Sequence, residues 1–368
     1  MTVTSFMRRH YRHFNAGTLV AAAEAYADHV RAGGKVLVSL AGAMSTARLG
    51  ISLAEMIRRG FVHAISCTGA NLEEDVFSLV GRDTYRPVPH WRELSRQQEQ
   101  ALYEQGLNRV TDILIPEKVF DLVAAALVKE WRAVDGDADA EGLFPHEYLY
   151  RMLRSGALAE HYQVDPRDSW LVAAAEADLP LVVPGWEDST LGIIFAAQVA
   201  KGDVSAGVIR SGIEYMTELS RWYEREAREI ALPGADGAEA AGAEAVGEAV
   251  GAAAVGAEAV PHAVVGKAVA EGVRVGSLGF LQIGGGIAGD FAISVAPTVR
   301  DLLGRRELPR WGYFCQISDA PTSYGGYSGA PASEKITWGK LAPSTPSFVI
   351  ESDATIVAPL LFAHVLGW

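Results

Sequence analysis

The chain has 368 residues, 49% of them hydrophobic, enough to bury one large core or two ordinary ones. Its formal charge of -13, from 45 acidic and 32 basic residues, argues against a nucleic-acid or anionic-membrane surface and leaves cationic ligands such as amines open. Cys67 and Cys315 each lie in apolar runs outside any CxxC pair, which excludes a disulfide framework or zinc knuckle and reads as two buried, reduced thiols.

The basic start of the chain (Arg8, Arg9, His10, Arg12, His13) lacks the apolar stretch of a secretory signal. No apolar window is long enough to span a bilayer. A cytoplasmic protein is expected. Residues 19–30 carry apolar side chains at helical spacing and stop at Gly33 and Gly34, after which 36–41 reads as a short buried strand. Ser45 or Thr46 is placed to cap a second helix running to Arg59 and ending at Gly60. Residues 61–67 read as another strand leading through Thr68, Gly69 and Ala70 into a helix near Glu73.

A helical middle, roughly 117–158, precedes four more candidate strands: 181–183, 278–283, 313–317 and 348–350. Most of the six are followed at once by Gly, Ser, Thr or Asp, and the carboxyl ends of parallel strands are where open sheets bind ligands. The expected fold is α/β: a doubly wound, mainly parallel six-stranded sheet with helices on both faces, in one domain over 1–368. Residues 233–271, where Ala, Gly, Val and Glu recur in near-repeats, interrupt it. So little large apolar surface predicts a disordered or loosely helical excursion without chemistry; the other reading is a partner-binding arm.

Familiar short motifs are missing: there is no GxxxxGK[ST], no HExxH, and no GxGxxG after the first strand. The nine histidines do not cluster, His10 and His13 read as surface residues, and no metal is expected. The small-residue turns Gly42 to Ser45, Thr68 to Asn71 and Gly284 to Gly286 offer backbone amides to a pyrophosphate, although tight strand-to-helix packing demands the same residues. Carboxylates gather behind the strands: Glu73, Glu74 and Asp75, then Glu187 and Asp188, Asp290, Asp319 and Asp353. Asp188 and Asp353 also suit plain helix N-caps.

Only seven lysines occur, and Lys340 stands beside Trp338 and Gly339. A lysine nucleophile reacts as the free amine. At an ordinary pKa near 10.4 fewer than about one in a thousand are neutral at pH 7, and apolar surroundings raise that fraction. Spacing by itself favours a lysine whose stem packs along a tryptophan.

The block Ser328-Gly329-Ala330, Ser333-Glu334 and Thr337 to Lys340 resembles the active-site segment of the deoxyhypusine synthase family, and its wording is closest to the bacterial deoxyhypusine synthase-like branch. Thr68 to Ala70 with Glu73 to Asp75, Gly106 to Val110, Gly185 to Gly192, Gly284 to Gly286, and Asp353 to Thr355 with Pro359 to Leu361 follow in the family's order over roughly 35–365, apart from the Ala-rich insertion. The resemblance implies that Lys340 takes the aminobutyl group of a polyamine as an imine after NAD has oxidised the donor, and passes it to an acceptor amine before the product is reduced. By position it implies NAD contacts at Ser45, Thr68, Gly69, Ala70, Glu74, Asp188, Asp319, Ala320, Asp353 and Ala354. Glu73, Gly325, Ser328, Glu334 and Trp338 fall in the amine pocket, with Glu334 and Glu73 pairing with ammonium groups.

Eukaryotic members carry an aspartate where this chain has Ile193, a histidine where it has Asp290, and an aspartate where it has Tyr327. Asp290 and Glu187 are candidates for replacement anionic contacts. The expectation is retained lysine-imine and NAD chemistry with altered amines, for instance a free diamine acceptor giving homospermidine, rather than a protein acceptor. The resemblance further implies a homotetramer with active sites across a dimer interface; the N-terminal plug of eukaryotic members has no counterpart. Two other classes stay open: a different NAD-dependent enzyme, such as an amine dehydrogenase or deacylase-like NAD consumer, and a non-catalytic NAD or polyamine sensor.

Overall fold

A computed structural model describes residues 1–232, 274–322 and 325–368. The Ala-rich segment, and with it the reading of 233–271 as an insertion, lies outside the described residues. Each of the six apolar runs forms a strand: β1 (Lys35–Leu40), β2 (Ala64–Cys67), β3 (Leu181–Val182), β4 (Leu278–Ile283), β5 (Tyr313–Ser318) and β6 (Ser347–Glu351). They make one sheet in the order β6-β5-β4-β1-β2-β3, every pair parallel. Val36, Leu37, Val38 and Leu40 are buried, as are Phe280, Leu281 and Ile283, because helices cover both faces and leave no polar side to the central strands.

The helices that position the site are α1 (Phe14–Arg31), α2 (Gly50–Arg58), α3 (Gly69–Gly81), α4 (Glu117–Asp135), α5 (Thr190–Lys201), α6 (Gly212–Glu226), α7 (Gly286–Ile293) and α8 (Ala354–Leu366). On one face Tyr313 of β5 donates its hydroxyl to the Ala22 carbonyl of α1, and α8 packs against α1 and α2. On the other, Ser66 of β2 donates to the Ala288 carbonyl of α7. Between the faces, Phe280 lies edge-on to Trp311, each burial contributing about 2–3 kcal/mol.

Some boundaries differ from the expected ones for local reasons. The strand expected at 61–67 begins only at Ala64: Gly60 is left-handed (φ 71) and Phe61 N donates to the Met56 carbonyl, so Phe61 still closes the helix end, and the chain first meets β1 at His63, whose amide donates to the Val36 carbonyl. The second helix starts at Gly50 with Leu49 as its N-cap, because the Ser45 hydroxyl is committed to the Asn71 carbonyl and to the Trp170 indole. Between α3 and α4 the chain also makes an unanticipated antiparallel ribbon, Arg86–Pro87, Leu107–Val110 and Ile113–Pro116. Both cysteines are buried and free, and burial pushes the Cys315 thiol up to about 12. No described helix is long and apolar enough to cross a membrane.

Candidate active site

The strand order reverses direction between β1 and β4, so the loops after these two strands diverge and leave a crevice at the carboxyl edge. On the β1 and β2 side one side chain ties the loops together. Asn71 of α3 gives its amide to the carbonyls of Leu40 (3.1 Å), Ala41 (3.1 Å) and Gly42 (2.8 Å), and accepts from Ser45 N (2.9 Å). Thr68 caps α3 by accepting from Asn71 N and donates to the Gly42 carbonyl at 2.7 Å.

The three consecutive acids of α3 part company. Glu73 spends both oxygens on the first amides of α5, Thr190 N at 2.9 Å and Leu191 N at 2.7 Å. Asp75 accepts from Ser169 and from Leu171 N (3.1 Å); burial, outweighing these bonds, pushes it up to about 6. Glu74 is buried, its Oε2 has no hydrogen-bond partner, and desolvation pushes its carboxyl up to about 7.

On the β4 side, Gly284 (φ 75) and Gly286 (φ 58) take left-handed backbone. Here glycine is required twice over: a Cβ on Gly285 would lie 1.9 Å from Ser328 Oγ, and one on Gly289 would lie 2.9 Å from Gln282 Oε1. α7 begins at this turn with no side-chain cap. Of the acids behind the remaining strands, Asp188 and Asp319 are exposed. The cap of α5 is the neighbouring Ser189, which accepts from Gly192 N, whereas Asp353 does cap α8, accepting from Thr355 N at 2.7 Å. Ala320 N donates to the Ser318 hydroxyl at the end of β5.

Lys340 closes the crevice. It is 7% exposed, and its Nζ stands 2.6 Å from Asp290 Oδ1 on the second turn of α7. The ring centroids of Tyr327 and Trp338 lie 5.1 and 5.9 Å from that nitrogen. Trp338 is 66% exposed, forming an open wall. Tyr327 donates its hydroxyl to Gln282 Oε1 at 2.7 Å, and Gln282 passes its amide to the Gly284 carbonyl. Glu334 and Gly325 stand exposed at the rim. The structure therefore brings Lys340, Asp290 and Trp338 together around Tyr327, with Ser328 against Gly285, while Glu73 is turned to the start of α5.

Sequence reasoning passed over Asn71, Gln282, Gln316 and Lys335. The two glutamines are register partners on adjacent strands and are 0% and 2% exposed. A polar residue in the middle of an otherwise apolar strand was the signal available for both, since a buried amide must find partners.

A family model described as deoxyhypusine synthase matches residues 5–220 and 265–365. The chain belongs to the deoxyhypusine synthase family. A "Deoxyhypusine synthase-like protein" of Cyanothece sp. is 28% identical over 372 aligned positions, covering 100% of this chain and 80% of its own length. "Probable deoxyhypusine synthase 2" of Archaeoglobus fulgidus is 24% identical, covering 90% of this chain and 87% of that one. The crystal structure of a candidate deoxyhypusine synthase from Entamoeba histolytica superposes with a TM-score of 0.54 at 9% identity, over 100% of this chain and 94% of the other. That last likeness is one of fold, and it agrees with the parallel sheet. Family membership supports a transferase of the aminobutyl type in broad terms; the amines belong to the reading that follows.

Proposed function

We propose that the chain is an NAD-dependent transferase that moves an aminobutyl or similar aminoalkyl group from a polyamine to an acceptor amine through an imine on Lys340. The observation that carries this reading is the contact of Lys340 Nζ with Asp290 Oδ1 at 2.6 Å, at a strand-end crevice, in a lysine almost wholly buried and flanked by the Tyr327 and Trp338 rings. A lysine serving solubility would be exposed, and one serving the core would not present its amine to a half-exposed carboxylate.

The residues around the crevice fit NAD. α7 starts from a turn of glycines with no side-chain cap on its amides, Thr68 starts the neighbouring α3, and the unpartnered Glu74 Oε2 is a buried acceptor of the kind a ribose hydroxyl satisfies. Bound there, NAD would supply a hydride acceptor for the donor amine and return the hydride to the product. The chain's own residues do the rest. Lys340 as the free amine adds to the oxidised donor's imine carbon to give a gem-diamine, whose collapse breaks the C–N bond to the leaving amine and leaves the imine on Nζ. Asp290 relays the protons that Nζ loses to the departing nitrogen, which leaves as the free amine. An acceptor amine then displaces Lys340 by the reverse exchange. Trp338 and Glu334 border the path for a cationic chain.

Two observations favour a free diamine as acceptor. Ile193 is 65% exposed where an acid would hold a distant ammonium group, and Tyr327 spends its hydroxyl on Gln282. Incubation with NAD and a panel of polyamines and diamines, borohydride trapping and peptide mass spectrometry should find the adduct on Lys340. Absence of that adduct with every amine overturns the reading. Net NADH would indicate a dehydrogenase, nicotinamide release an NAD consumer, and undiminished ligand binding with no turnover in either Lys340→Ala or the parent chain a sensor. The assembly expected from the family, a homotetramer with sites at a dimer interface, is part of this proposal and is checked by light scattering.

A further inference from the structure

Five residues before the nucleophile stands a second buried lysine that the transfer chemistry does not use. Lys335 is 2% exposed, one of the largest fully buried side chains in the described structure. An ammonium group is among the costliest groups to bury, and here no carboxylate touches it. Its Nζ donates instead to Gln316 Oε1 (3.2 Å) and to the Ala330 carbonyl (2.9 Å). It also lies over two rings, 5.1 Å from the Phe314 centroid and 4.9 Å from the Tyr327 centroid. Lys340 Nζ lies 5.1 Å from that same Tyr327 ring.

These contacts converge on one turn. Gln316 sends its amide to the Ser328 carbonyl at 2.6 Å, so Lys335 and Gln316 together hold both ends of the segment Tyr327 to Ala330. That segment carries the phenol over Lys340 and sets Ser328 against Gly285. The backbone repeats the coupling: Lys340 N and Leu341 N both donate to the Lys335 carbonyl, at 3.0 and 3.3 Å.

We propose that Lys335 is a positioning residue of this site, a buried cation that fastens the Tyr327–Ala330 turn and so fixes the Tyr327 ring that borders Lys340. The role rests on Lys340 being the reacting amine. Burial and the neighbouring Lys340 charge lower the Lys335 pKa to about 8, against the opposite pull of Glu334 and Asp290. The cation is thus held under strain that its two oxygens and two rings offset. A lysine kept there only to fill space would be replaced at little cost by methionine, which is one atom shorter, equally unbranched, and suits the two rings.

The test compares Lys335→Met and Lys335→Arg with the parent chain in two assays. The first is the rate of amine adduct formation on Lys340 against amine concentration, with NAD present. The second is the peptide-resolved rate at which formaldehyde and cyanoborohydride methylate Lys340 without any substrate, followed from pH 6 to 9. For Lys335→Met the expected result is a fall of tenfold or more in the saturating adduct rate, half-saturation within twofold, and a displaced methylation profile. Lys335→Arg should keep the rate within threefold. A parent chain that forms no adduct fails the imine reading, while the methylation assay still decides the role of Lys335. A Lys335→Met chain that folds and matches the parent in both assays overturns the proposal. Should it not fold, Gln316→Ala, which frees the Ser328 carbonyl, must show the same loss; failure of both variants to fold assigns Lys335 to the core and overturns it too.

Discussion

Asp290 Oδ1 lies 2.6 Å from Lys340 Nζ, joining the first helix after β4 to the segment just before β6. The lysine side chain is 9% exposed and the aspartate 49%, so the pair has a buried end and a wet end. A carboxylate so placed can receive a proton from the amine and hand it to solvent. Asp290→Asn keeps the shape and removes the acceptor. Adduct formation on Lys340 at neutral pH should fall by at least tenfold, with unfolding free energy within about 1 kcal/mol of the parent because the pair is half in water. Equal trapping rates in parent and variant would remove Asp290 from the proton path. Lys340→Met should give no adduct.

The approach of Gly285 to Ser328 gives a second expectation. An added Cβ would meet Ser328 Oγ at 1.9 Å, its Cβ at 2.6 Å and its Cα at 2.8 Å, so the Tyr327–Ala330 turn must move. Gly285→Ala should lower stability by about 1–3 kcal/mol in urea unfolding and cost amine capture more than NAD binding. Ser328→Gly in the same chain removes two of the three clashing atoms and should recover part of both losses. Stability lost with no recovery in the double variant would place the strain elsewhere.

How much of this was legible beforehand follows from what each level of structure depends on. All six strands were readable because a parallel strand covered on both faces needs an unbroken apolar run, and 278–283 matches Leu278–Ile283 at both ends. Their spatial order was not readable, since nothing in one strand's sequence names its neighbours. The ribbon at Arg86–Pro87, Leu107–Val110 and Ile113–Pro116 escaped because its strands run for only two to four residues, too few to establish a period of two. At the site, Lys340 and Trp338 were found through a motif. The partners that set their geometry, Asp290, Tyr327 and Ser328 excepted, were passed over: Gln282 and Gln316 act by bonding across the sheet and to its loops, and Lys335 looked like any other charged residue. Spacing could not tell that Glu73 would turn to the amides of α5 while Glu74, one residue on, would keep an unpartnered oxygen.

Asn71 bears on both the fold and the crevice. It satisfies three carbonyls at the end of β1 and the amide of Ser45, at 0% exposure. Asn71→Leu keeps the volume and leaves the Ala41 carbonyl and the Ser45 amide without partners, while Thr68 still donates to the Leu40 and Gly42 carbonyls. The expected cost is about 3 kcal/mol or more in unfolding free energy, together with at least tenfold weaker NAD binding by calorimetry. A variant that is destabilised yet binds NAD as the parent does would show that the β1 loop is not part of the cofactor site.

Glu74 supplies the pH dependence. Its carboxyl is pushed up from 4.5 to about 7, first by desolvation and further by the charge of Glu73, against the nearby Thr46 hydroxyl, which pulls the other way. A raised carboxyl binds its proton more tightly folded than unfolded, so the folded state loses stability as the pH rises from about 4.5 to about 7 and carries the full cost above that. The shift corresponds to about 3 kcal/mol. Glu74→Gln removes the titration while keeping the shape, so parent and variant should diverge with pH: relative to the parent, the variant gains about 2–3 kcal/mol between pH 5 and pH 8, read from urea unfolding at each pH. The same carboxylate is the proposed ribose acceptor, so the variant should bind NAD more weakly at pH 8 even as it becomes the more stable chain. A parallel pH course in the two chains would mean that Glu74 is solvated or partnered in the folded protein, and the acceptor would have to be sought elsewhere on the edge.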